Sequence, residues 1–207
     1  VCPAFGGPSV LEFRDVPAPM PGAGEVRIRI EAAGVNYPDI LSVAGTYPVK
    51  SEPPFIPGIE GAGAVVECGP GVGRIKAGDR VCWQNNRVKG TFAEEIVLPE
   101  AGLSAIPDAV PFAIAAITPT VYGTAWFALN HRGRLQPGEV LVVHGASGGT
   151  GLAAVQVGKM MGATVIATGG DDAKLARVRE AGADHVVNHR TEAVRDRILE
   201  LTGGRGA

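Results

Sequence analysis

The chain has 207 residues, 45% of them hydrophobic, a formal net charge of -2 and no run of five or more like charges. That length supports one or two domains with a real core, and the near balance of charge removes the electrostatic case for nucleic acid or an anionic membrane as a partner. No apolar stretch reads as a membrane span or a signal peptide, so a cytoplasmic setting is expected, and the three widely spaced cysteines, Cys2, Cys68 and Cys82, argue against a disulfide framework.

In chain order, Pro17, Pro19, Pro21, Gly22 and Gly24 form a turn-rich lead into residues 25–32. Those eight alternate apolar and charged side chains, the period of a half-buried antiparallel strand. Residues 63–68, 79–83 and 92–98 are further strands, punctuated by Gly69-Pro70-Gly71, Lys76-Ala77-Gly78 and Pro99. Short strands at fairly regular spacing predict a small β-barrel or sandwich over the first hundred residues. Residues 111–129 are apolar and alanine-rich, which predicts one or two helices and a domain boundary near residue 115, giving domains 1–115 and 116–207.

The second half centres on Val140-Leu141-Val142-Val143-His144-Gly145-Ala146-Ser147-Gly148-Gly149-Thr150-Gly151-Leu152. An apolar β-branched run that breaks into small residues and then into a helical pattern reads as a buried strand, a tight turn and a helix N-terminus. The free N–H groups and positive dipole of such an end attract a pyrophosphate if no side chain blocks the backbone. Gly148, Gly149 and Gly151 remove those side chains, in an Ala-x-Gly-x-x-Gly pattern that starts at Ala146. An ordinary glycine-rich turn is the plain alternative.

The helix that follows carries Leu152, Val155 and Met160 and ends at Gly162. Residues 163–168 form a second strand. Asp171 or Asp172 caps a helix through Leu175 and Val178 that Gly182 ends, and residues 184–188 form a third strand. Thr191 caps a last helix with Val194, Ile198 and Leu201 on one face. Strand-helix-strand-helix-strand with short links predicts a parallel sheet, half of a dinucleotide-binding fold, and a longer parent protein that continues it.

Five motifs, in order, carry a resemblance: Gly34-Val35-Asn36-Tyr37-Pro38-Asp39, Gly45-Thr46-Tyr47, Pro57-Gly58-Ile59-Glu60-Gly61-Ala62-Gly63, Gly78-Asp79-Arg80-Val81 and the glycine turn at 144–151. The chain resembles the zinc-free, zeta-crystallin-like quinone oxidoreductases of the medium-chain dehydrogenase/reductase superfamily. The resemblance implies an α/β protein with a β-rich N-terminal GroES-like barrel, followed by the first half of a Rossmann parallel sheet. It also implies NADP(H) as cofactor, a homodimer or homotetramer, and absence of about a third of the usual chain.

A catalytic zinc needs three Cys, His or carboxylate ligands and a structural zinc needs four, and neither set is visible, so no metal is expected. In zinc-dependent members of the superfamily a cysteine stands where this chain has Asn36, and a four-cysteine lobe where it has only residues 84–90. Glu60 resembles a glutamate of those enzymes and, without companions, reads as a structural carboxylate held by hydrogen bonds or an arginine. His185 and His189 sit on one strand, roughly 13 Å apart, which does not suit a shared metal.

NADP-selective folds leave room at the end of the second strand and supply cations for the 2'-phosphate. Thr168-Gly169-Gly170 leaves room; Lys174, with Arg177 or Arg190, supplies charge. The resemblance assigns His189 to the cofactor, Ser147, Gly148, Gly149 and Thr150 to its pyrophosphate, and Thr124 to the nicotinamide side. Asp171 and Asp172 cut against the phosphate unless they serve as helix caps.

A metal-free hydride transfer suits a quinone or an α,β-unsaturated carbonyl, whose conjugation spreads the incoming charge. Asn36 and Tyr47 are the candidate catalytic residues, the amide as a donor and the phenol as a hydrogen-bonding or proton-relay group that also meets the cofactor. A turn asparagine and a half-buried aromatic are their plain alternatives. Asp39 starts a helix or orients Asn36, and Tyr37, Phe55 and Trp83 line either a pocket or the core. An enoyl-thioester or alkenal reductase, and a non-catalytic crystallin-like or RNA-binding role, remain alternatives; the absence of a basic stripe weighs against RNA.

Overall fold

A computed structural model describes residues 1–85 and 90–207. Most of the 84–90 stretch compared above with the four-cysteine lobe, residues 86–89, therefore lies outside the described residues. The chain divides into two units, Val1–Pro119 and Thr120–Ala207.

The first unit is built on an antiparallel sheet of β1 (Glu25–Ala33), β2 (Glu60–Cys68), β3 (Arg80–Gln84), β4 (Glu95–Pro99) and β5 (Leu103–Ala105), in the order β4-β1-β2-β3-β5. The period of two in β1 works as expected: Val26 and Ile28 are fully buried with Val65, Val81, Trp83, Ile96, Leu98 and Leu103. On the opposite face Arg27 reaches Glu67 of β2 at 2.8 Å and Glu95 of β4 at 2.9 Å, so one guanidinium spans three strands. Strand β5 was not foreseen; three residues are too few to show a period. The helix start expected at Asp39 is α1 (Tyr37–Val43), with Asn36 as its N-cap.

Arg80, from the Gly78-Asp79-Arg80-Val81 motif, donates to the carbonyls of Pro107, Asp108 and Val110 and lies 4.3 Å over the Phe112 ring. It thereby clamps the segment leading into α2 (Phe112–Trp126). That helix runs on through a π-helical turn, Phe127–Arg132. The two together are long and apolar enough to cross a membrane by length and composition, which corrects the sequence reading that no such stretch exists. Thr118-Pro119-Thr120 and Gly123 hide the continuity, because proline and glycine read as breaks.

The second unit holds a parallel sheet, β6 (Val140–Val143), β7 (Thr164–Gly169) and β8 (His185–Asn188), in the order β6-β7-β8. Helices α3 (Gly149–Met160), α4 (Asp172–Glu180) and α5 (Val194–Leu201) alternate with and follow the strands. Val143, Ala146, Val155, Val165, Ala167 and Val178 form the core. One cap is corrected: α5 starts after Ala193, not at Thr191. Thr191 instead folds back on β8, its N–H donating to the Asn188 carbonyl at 3.0 Å.

Candidate functional site

Because the three strands of the second unit are parallel, the turns after β6, β7 and β8 share one edge of the sheet, where open α/β sheets bind ligands. The turn after β6 begins at Gly145, whose φ of 63° lies in the left-handed region that glycine tolerates. The Ala146 N–H donates to the Thr168 carbonyl at 3.0 Å and its side chain is fully buried, so alanine fills the first place of the motif without reaching the ligand side. Gly148 is the N-cap of α3, and Leu152 N–H to Gly148 O, at 2.8 Å, closes the first helical turn. The N–H groups of Gly149, Thr150 and Gly151 precede that bond and have no helical acceptor. Among the described residues this end carries no side-chain cap and no acid in its first turn. Free N–H groups at an uncapped helix start are the arrangement that suits an anion.

The glycines divide into two kinds. A Cβ on Gly151 would stand 2.5 Å from the Gly145 carbonyl oxygen and 2.8 Å from Ala146 Cα, so this glycine lets the helix pack on its own turn. A Cβ on Gly148 would meet nothing nearer than 3.5 Å, and its backbone is ordinary extended chain at φ -80°. The chain's own packing therefore explains Gly151, while at Gly148 an added Cβ would make only ordinary contact with the Gly145 carbonyl oxygen. Gly151 thus has a packing reason to be glycine besides the ligand-side role expected of it.

After β7, a Cβ on Gly170 would lie 2.8 Å from His189 Nε2 and 3.0 Å from Arg190 Nε, so the side chains of both residues after β8 converge over this glycine. Lys174 is exposed in the first turn of α4, close in sequence to the same edge, whereas Arg177 belongs to the last turn of that helix. Asp171 caps α4 by accepting the Lys174 N–H at 2.9 Å, and Asp172 accepts from Asn188 Nδ2 at 2.6 Å. Both carboxylates that cut against a phosphate are engaged by their own chain. Asn188, buried at the end of β8, was not singled out from sequence. Besides Asp172 it accepts the Arg190 N–H on its Oδ1 at 3.0 Å, and so shapes the loop that presents Arg190. A polar residue closing a buried strand was its one signal. His144 Nδ1 lies 3.1 Å from Thr168 Oγ1, joining the ends of β6 and β7.

Thr124 is exposed on α2. One turn earlier on that helix, Val121 Cγ1 would be 3.3 Å from a Cβ on Gly149, so this stretch of α2 borders the start of α3, and residues three apart share a face.

In the first unit, Asn36 and Tyr47 flank α1, separated by about 10 Å of helix rise. Tyr47 is half-buried. Asn36 is held from two sides: its backbone N–H donates to Asp39 Oδ2 at 2.7 Å and its Nδ2 donates to Glu60 Oε1 at 2.6 Å. Asp39 thus both starts the helix and orients Asn36, and Glu60 is the hydrogen-bonded carboxylate expected of it. Trp83 belongs to the core, with its indole N–H on Thr91 Oγ1 at 3.3 Å. Tyr37 is exposed and Phe55 bridges to Cys2 through the backbone. Among the described residues, no three His, Cys, Asp or Glu side chains are grouped to hold a metal ion.

Comparison with known proteins agrees with both units. Residues 22–108 match the alcohol dehydrogenase GroES-like domain family, and residues 149–207 match the zinc-binding dehydrogenase family. Quinone oxidoreductase-like protein 2 of Mus musculus is 40% identical over 91% of this chain and 54% of its own length. A crystal structure of an NAD-dependent alcohol dehydrogenase superposes with a TM-score of 0.95 at 35% identity, covering all of this chain and 67% of that one. The Escherichia coli quinone oxidoreductase complexed with NADPH gives 0.85 at 34% identity, over 97% of this chain and 61% of that one. The chain spans about half to three fifths of the length of the curated relatives it matches. With both family models matched in order, the chain belongs to the medium-chain dehydrogenase/reductase superfamily.

Proposed function

We propose that the protein is an NADPH-dependent, zinc-independent oxidoreductase that reduces quinones or α,β-unsaturated carbonyls by hydride transfer. The observation that carries this reading is the sheet edge of the second unit. There, an uncapped helix end, where a Cβ on Gly148 would make only ordinary contact, lies beside basic side chains gathered over Gly170. NADPH, when bound, supplies the hydride. The residues fit it by charge and by room: Ser147, Gly148, Gly149 and Thr150 hold the pyrophosphate, and His189, Arg190 and Lys174 hold the 2'-phosphate. Asp171 and Asp172 each accept a hydrogen bond from their own chain, which favours capping and loop-shaping roles over the ribose contact of an NAD-selective carboxylate. Thr124 borders the nicotinamide side.

In the first unit, Asn36 donates an amide N–H to the acceptor oxygen on which negative charge gathers, and the Tyr47 phenol meets substrate and cofactor and supplies a proton. Zinc independence is supported by the donor set, since Asn36 offers an amide that gives one N–H to Glu60, and no three His, Cys, Asp or Glu side chains are grouped among the described residues. Residues 149–207, which match the family with zinc in its description, contain no cysteine. The same reading makes the protein a cytoplasmic homodimer or homotetramer with a small-molecule partner and neither nucleic acid nor membrane.

The test is a fluorescence titration of the full-length protein with NADPH and NADH, followed by addition of 1,2-naphthoquinone, a 2-alkenal or an enoyl thioester. NADPH is expected to bind more tightly than NADH and to lose its near-ultraviolet absorbance with the quinone. Binding without oxidation by any of the three acceptors would overturn the reductase reading, and turnover of the enoyl thioester alone would move it to the other substrate class.

A further inference from the structure

Two carboxylates meet Asn36, and they differ in what they hold. Asp39, 4% exposed, takes the backbone N–H and so belongs to the start of α1. Glu60, 1% exposed at the start of β2, takes the side-chain amide across 24 residues of sequence. Room for Glu60 is made by Gly34, where a Cβ would fall 2.2 Å from Glu60 Oε1. The neighbouring backbones are also tied, Gly34 N–H donating to the Glu60 carbonyl at 3.2 Å. The pocket that receives this carboxylate is therefore shaped for it.

We infer that Glu60 is a positioning residue for the proposed reduction, which sets the orientation of the Asn36 amide. The inference rests on the reading of Asn36 as the donor to the acceptor oxygen. A carboxylate only accepts hydrogen bonds, so the amide turns its nitrogen, not its oxygen, toward Glu60. A buried charge-assisted bond of this length holds that choice against the reverse rotamer, which would put two acceptors face to face. One amide hydrogen is then committed to Glu60, and the second N–H, whose direction follows from the first in a planar amide, is the donor left for the substrate. Without Glu60 the amide nitrogen loses its buried acceptor, and the capping contact of the Asn36 side chain with the Asp39 backbone is what still orients the amide, so the acceptor oxygen meets an amide oxygen part of the time.

Three variants of the full-length protein separate this role from a structural one. Asn36→Ala should lower kcat about a hundredfold, the scale seen when one donor to a developing oxyanion is lost. Glu60→Gln, nearly isosteric, should lower kcat about tenfold while leaving KM for NADPH unchanged. The double variant Asn36→Asp with Glu60→Gln exchanges donor and acceptor. It restores the buried hydrogen bond and hence the melting temperature, but leaves a carboxylate oxygen where the substrate needs a donor, so kcat should stay at the Asn36→Ala level. A double variant that regains wild-type kcat would overturn the inference, as would a Glu60→Gln enzyme with wild-type kcat. If Asn36→Ala itself keeps wild-type kcat, the reading of Asn36 fails instead, and the two failures are distinguishable.

Discussion

Asp184 ties three segments of the second unit together through one carboxylate. It takes the Lys159 ammonium at 2.7 Å and the Val165 N–H at 2.7 Å, while Lys159 also donates to the Ala163 carbonyl at 3.0 Å. The end of α3, the start of β7 and the lead into β8 are thus pinned at one point. Burial pushes the carboxyl upward, but the Lys159 and Val165 hydrogen bonds with the charges of Lys159 and His185 outweigh it, and the net shift is down from 3.8. A lowered carboxyl stabilises the fold above its unfolded value and loses that contribution as pH falls through the folded one. Asp184→Asn keeps an oxygen for Val165 and removes the charge. It should lower stability at neutral pH by about 1 kcal/mol or less, because both side chains are a third exposed. Melting temperatures measured from neutral to acid pH should show the difference between variant and wild type vanishing below the folded value. A difference independent of pH would show that charge is not its source.

The glycines around α3 carry a sharper contrast at the level of the element. Gly151→Ala forces a Cβ to 2.5 Å from the Gly145 carbonyl oxygen and should cost about 2–3 kcal/mol of stability, the range for overpacking a close contact. Gly148→Ala meets only ordinary contact distances and should cost less than about 1 kcal/mol, yet weaken NADPH tenfold or more by adding a methyl beside the helix end. Paired thermal melts and NADPH titrations check both, and equal effects of the two on melting would remove the distinction. The sequence placed the element itself well, since a β-branched run followed by small residues and a helical period is local information. The strand β1 and the cap at Asp171 were legible for the same reason. What separated Gly148 from Gly151 was a carbonyl approaching through space, which no spacing encodes. The Asn36–Glu60 bond spans 24 residues and the convergence of His189 and Arg190 over Gly170 joins two crossovers, so both emerge only from the fold. Thr191 misled because a threonine before a helical run serves either as cap or as turn, and the Asn188 carbonyl, which accepts the Thr191 N–H, decided it.

Across the molecule the two sheets expose their edges differently. In the first unit the central strands β1, β2 and β3 are paired on both sides, and short β4 and β5 form the edges. In the second, β6 is an edge strand although its composition, Val140-Leu141-Val142-Val143, is that of a strand buried on both faces. Val140, Leu141 and Val142 line an open groove of about 470 Å³ with His144, Ile198 and Ala207. Outward along the sheet, β6 has no strand partner among the described residues. An apolar parallel edge with free N–H and C=O groups templates pairing with another chain, and a lysine on such an edge blocks it. The 207-residue chain by itself should therefore associate in a concentration-dependent way, seen by light scattering. Val142→Lys should suppress that association with little change in melting temperature, since Val142 is only partly buried and Leu141, its neighbour, packs toward the core. A wild-type chain that stays monodisperse and monomeric at high concentration would show that the β6 edge is protected by some other part of the molecule.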